Sequence, residues 1–111
     1  MNEVPPRQLT QQHMLAIRRA FAVPLAARLG RSAAEISEEG LTAGDFELDR
    51  RVELTLGDGS TMSLRHAFAV VDVQQHLVGI FTEHCGYFCY ATVDLELTEF
   101  KGDTVAARHV W

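Results

Sequence analysis

Apolar residues in the first third of the chain fall at helical spacing. Met14, Ile17, Phe21, Leu25 and Leu29 share one stripe, and Arg18, Arg19 and Arg28 lie largely off it. Pro24 interrupts the stripe, because proline has no N–H to give to the carbonyl four residues back. The pattern therefore predicts either a kink or two short helices with Pro24 in the first turn of the second. Gly30 ends this segment. Ser32, Glu35 and Gly40 then read as an N-cap, its capping-box partner and a C-terminal stop around a helix over Ala33 to Glu39.

From Phe46 the period changes to two. Phe46, Leu48, Val52, Leu54 and Leu56 mark a first strand, and Met62, Leu64, His66, Phe68 and Val70 alternate along a second. Asp58 and Gly59 sit at the turn between them. A three-residue loop with Gly59 in the left-handed conformation pairs Leu56 with Met62 and keeps the apolar faces together. A third strand over Leu77 to His84 and a fourth over Tyr87 to Leu97 flank a turn at Cys85 and Gly86, which pairs Thr82 with Cys89. The tail Val105 to Trp111 is either a fifth edge strand or a surface segment. Together these elements predict an α+β fold: N-terminal helices, about residues 9–40, packed on one face of a four- to five-stranded antiparallel β-meander over about 46–111.

A length of 111 residues suits one domain with one core. The net charge of −5 argues against a nucleic-acid surface, and no apolar run approaches the roughly 18 residues of a membrane span. With no secretory pattern at Met1 to Arg7, the expectation is a cytoplasmic protein whose two cysteines stay free thiols. Charge is uneven: Arg18, Arg28 and Arg31 lie in the helical part, while Glu38 to Asp58 and Asp94 to Asp103 are acid-rich, so the two parts attract each other. The segment Leu25 to Ile36 has the outline of a helix-turn-helix, but its second helix carries Glu35, Glu38 and Glu39 and no base-reading side chain.

No phosphate loop, nucleophile motif or metal-ligand spacing is present, so no cofactor or metal is expected. Candidate chemistry comes instead from the strand registers, which place His66, Thr82 and Cys89 in one row facing the helices and His84 and Tyr87 in the next. A Cys–His pair or a metal site is one reading of that face. A buried thiol and histidines satisfied by neighbouring hydroxyls is the other, and the one that ordinary residue burial favours. The opposite face carries Glu53, Arg65, Glu83 and Phe88 in an apparent ion-pair row, beside Ala67, Phe81 and Tyr90. Ala67, Phe81, Phe88 and Tyr90 then form an outward aromatic patch of the kind that meets a second copy or a protein partner.

The string F-T-E-H-C-G-Y at Phe81 to Tyr87, preceded by R-H-A-F-A-V at Arg65 to Val70, resembles a group of small uncharacterised bacterial proteins, some carried on mobile gene cassettes. The resemblance spans the middle third of the chain and implies a compact bacterial domain, with no activity or residue role attached. The leading expectation is thus a non-enzymatic interaction or accessory module using the outer aromatic face. The alternative is a small enzyme or ligand-binding protein with a pocket between helices and sheet, lined by His66, His84, Cys89 and Tyr87.

Overall fold

A computed structural model describes residues 17–110. Met14, the early part of the helical stripe and Trp111 lie outside the described residues. A helical turn over residues 17–20 is followed by α1 (Ala22–Leu29) and α2 (Ala33–Glu39). Pro24 is the third residue of α1, so of the two arrangements open to the sequence the chain adopts two helical pieces. Gly30, in the left-handed conformation, closes α1 with its N–H on the Ala26 carbonyl. Ser32 caps α2 by accepting the Glu35 N–H at 3.1 Å.

Seven strands follow: β1 (Arg50–Leu56), β2 (Thr61–Arg65), β3 (Ala67–Asp72), β4 (Leu77–Thr82), β5 (Tyr87–Ala91), β6 (Leu95–Lys101) and β7 (Thr104–Val110). The class is α+β, as the pattern predicts, and the helices do cover one face of an antiparallel sheet. The strands, however, form two sheets rather than one meander: a four-stranded sheet ordered β2-β1-β6-β7 and a three-stranded sheet ordered β3-β4-β5. The tail forms the edge strand β7.

Two breaks in alternation create the second sheet. Between β2 and β3, His66 adopts φ 51, a left-handed backbone that bends the strand out of one sheet and into the other. Leu64 and Ala67, three residues apart, consequently both enter the core between the sheets. Between β5 and β6, a 3-10 turn over Thr92–Asp94 carries the chain back.

The sheets enclose one core, with Val52, Leu54, Leu64, Leu95 and Leu97 from one side against Ala67, Ala69, Val78, Ile80 and Phe88 from the other. The opposite face of the three-stranded sheet packs on the helices through Phe68, Val70, Phe81 and Tyr87 against Phe21, Leu25 and Ile36. Phe81 is the hub. Its ring lies 5.9 Å from Phe21 and 5.0 Å from Tyr87 in edge-to-face geometry, each such pair adding about 0.5–1.5 kcal/mol beyond burial. Gly79 makes this packing possible, since a Cβ there would lie 2.9 Å from the Phe81 ring and 3.3 Å from Phe21.

The hairpin registers explain what the simple alternation misplaces. Gly59 is left-handed as expected, but Leu54 rather than Leu56 pairs with Met62, a two-residue slip that leaves the faces unchanged. In the β4–β5 hairpin, Phe81 pairs with Tyr87 and Gly79 with Cys89, because Glu83, His84 and Cys85 form the loop and Gly86 takes φ 93. That three-residue slip reverses every side chain of β5. The expected outward patch is therefore absent: Phe81 is fully buried under the helices, Ala67 and Phe88 are buried between the sheets, and Tyr90 is half-buried against that same core.

Candidate functional site

The same slips disperse the inner row expected from the sequence. Thr82 faces the core between the sheets, whereas Cys89 lies opposite Gly79 on the other face of the three-stranded sheet and is exposed. Both cysteines are free thiols. Loss of surrounding water still pushes the Cys89 thiol above its ordinary pKa, the opposite of what a nucleophile needs. Tyr87 does face the helices, but as part of the packed aromatic layer. Burial raises its phenol, and the neighbouring Arg18 guanidinium pulls the other way. The pocket expected between helices and sheet is filled by Phe21, Leu25, Ile36, Phe68 and Phe81.

What the fold brings together is a different set: His66, Glu83 and His84. His66 sits at the corner between β2 and β3, and the β4–β5 hairpin lies beside it, with the Glu83 N–H on the His66 carbonyl at 3.1 Å. The buried Thr82 side chain fixes the base of that hairpin. Its hydroxyl donates to the Gly86 carbonyl at 2.6 Å and accepts the Cys85 N–H at 2.8 Å. One Glu83 oxygen, Oε1, then faces both imidazoles, 3.4 Å from His66 Nδ1 and 3.2 Å from His84 Nε2. Donor atoms of the three residues all lie within 4.8 Å of one another. Exposure rises outward through the cluster, from 17% for the Glu83 side chain to 32% for His66 and 74% for His84.

His66 and His84 stand out in the sequence as candidate residues, while Glu83 reads there as a member of a solvated ion-pair row. Only the bend at His66 and the three-residue hairpin loop turn Glu83 toward them.

A second polar centre ties the layers together. Glu99 is fully buried, and both its oxygens accept from Arg28 Nη2 at 2.8 Å, with Arg50 Nη1 at 3.3 Å. Glu99 also accepts the Ala69 N–H at 3.0 Å, and Arg28 donates to the Ala69 carbonyl at 2.9 Å. Satisfied on every side, this network is structural.

Two open depressions lie on the four-stranded sheet. One, of about 370 Å³, lies among Glu53, Thr55, Thr61, Ser63, Glu96 and Thr98; the other, of about 330 Å³, is at the Gly57 and Val93 end. Neither includes the His66, Glu83 and His84 cluster. Among the described residues no helix is long and apolar enough to cross a membrane. The chain matches no known protein family, no curated protein and no solved structure.

Proposed function

We propose that this domain is a binding module for one divalent transition-metal ion, held by His66, Glu83 and His84 at the corner between its two sheets. The observation that carries the reading is the spacing of the donors. Two ligands about 2.0–2.1 Å from a tetrahedral ion stand about 3.4 Å apart. The separations of 3.4 and 3.2 Å are compatible with that geometry, and all three residues offer a donor atom within 4.8 Å of the others. Two imidazoles and a carboxylate suit zinc and its neighbours in the first transition row.

The left-handed backbone of His66, φ 51, sets its imidazole beside Glu83 at the corner between the sheets; His76, outside the cluster, adopts the same conformation at φ 55. The cluster opens at a hairpin tip where the His84 side chain is 74% exposed, so an ion can reach it directly from solvent.

Calorimetric titration of the full chain with Zn²⁺ tests this. One ion should bind per chain, and His66→Ala, Glu83→Gln and His84→Ala should each remove that binding while His76→Ala keeps it. No binding by the wild type, or binding indifferent to His66, would overturn the reading.

A further inference from the structure

The inner side of the cluster is closed by the chain itself. The Glu83 N–H bonds the His66 carbonyl, and directly before it Thr82 is buried and tied to the Gly86 carbonyl and the Cys85 N–H. The outer side is open, with exposure climbing from Glu83 through His66 to His84. Among the described residues, three side chains offer donors to this point. Glu83 turns one oxygen, Oε1, to both imidazoles, so it serves as one donor. A tetrahedral ion on three protein donors keeps a fourth position, which is filled from solvent. Here that position points outward, past His84. Charge selects what fills it. The imidazoles ligate as neutral groups and Glu83 as a carboxylate, so a divalent ion keeps a single positive charge that attracts an anion.

Resting on the three-residue site proposed above, we infer that the ion keeps its outward position for an exchangeable ligand, and that small monodentate anions displace the water held there. The domain then binds an anion through its metal. The step is a ligand substitution: the bond from the ion to the water oxygen breaks, a lone pair of the anion forms the new bond, and neither an oxidation state nor a proton count changes.

Visible absorption of the Co²⁺-loaded full chain during titration with sodium azide tests the assignment, because exchange of one ligand alters the ligand field of the ion. In chloride-free buffer the wild type should show a band shift that saturates at one azide per chain, and calorimetry on the Zn²⁺-loaded chain should give the same stoichiometry. His66→Ala mixed with equal Co²⁺ should respond only as the free ion does. Cys85→Ser should respond as the wild type does, since that thiol stands outside the three donors. Co²⁺ binding that needs His66, with a spectrum indifferent to azide, overturns the open position and leaves the three-residue site standing. A response confined to Cys85→Ser overturns it likewise, because a protein ligand would then fill the position. No Co²⁺ binding by the wild type overturns both.

Discussion

Arg28 and Glu99 grip the same peptide unit from two layers of the fold. Arg28 Nη1 donates to the Ala69 carbonyl at 2.9 Å, Glu99 Oε1 accepts the Ala69 N–H at 3.0 Å, and the two side chains meet at 2.8 Å. Ala69 lies on β3, an edge strand of the three-stranded sheet, so the pair caps backbone groups that a neighbouring strand would otherwise bond. It also joins α1 to β6 across that edge.

Removing one partner of a buried pair leaves a charge without compensation. Arg28→Ala should lower the free energy of unfolding by about 3 kcal/mol, the low end of the range for such changes because Arg50 still reaches Glu99. Glu99→Gln should lose less, about 1–2 kcal/mol, since its amide oxygen can still accept the Ala69 N–H. Urea unfolding of both single variants and the double variant gives the coupling. Strict additivity would show that the pair does not act as a unit.

This clamp shows what could be read in the sequence and what could not. The basic helical part opposite the acid-rich strands implies attraction between them, but a fourth strand predicted to end at Leu97 leaves Glu99 outside it. Choosing Arg28 as the partner requires the layer geometry. The helix ends at Leu29 and Glu39, the Ser32 cap and the fold class follow from local chemistry, which is why they agree with the structure. Register depends on single residues at turns. A left-handed non-glycine residue is uncommon enough that continuous alternation through His66 is the natural reading, and this one residue puts Leu64 and Phe68, four apart, on opposite layers. The histidines of the site are thus visible in the sequence as residues, but the company they keep is not.

Thr82 links hairpin stability to the site. Thr82→Val preserves shape but deletes the bonds to the Gly86 carbonyl and the Cys85 N–H, and should destabilise the fold by about 1–3 kcal/mol. The loosened loop should also bind Zn²⁺ more weakly. Thr82→Ser, which keeps the hydroxyl, should retain most of the metal affinity. Paired thermal unfolding and zinc titration of the two variants separates loss of the hydroxyl from loss of the methyl.

Tyr87 predicts an alkaline limit to stability. Burial raises its pKa in the folded chain above the unfolded value, so its contribution is complete below about pH 10 and is lost as pH rises through the folded pKa. Tyr87→Phe cannot ionise. Its urea midpoint should fall less than that of the wild type between pH 9 and pH 11, and equal falls would show that the buried phenol does not contribute.

His66→Gly puts the central claim, that His66 helps to hold a metal ion at the corner between the two sheets, to the most direct test. Glycine relieves the left-handed backbone and loses more chain entropy on folding, two opposing terms of about 1 kcal/mol each. Measured side by side on this one variant, urea unfolding should lie within about 1 kcal/mol of the wild type, while calorimetric Zn²⁺ binding disappears. A variant that is markedly less stable yet binds Zn²⁺ as the wild type does would contradict the account, because His66 would then be held for packing and not for the ion.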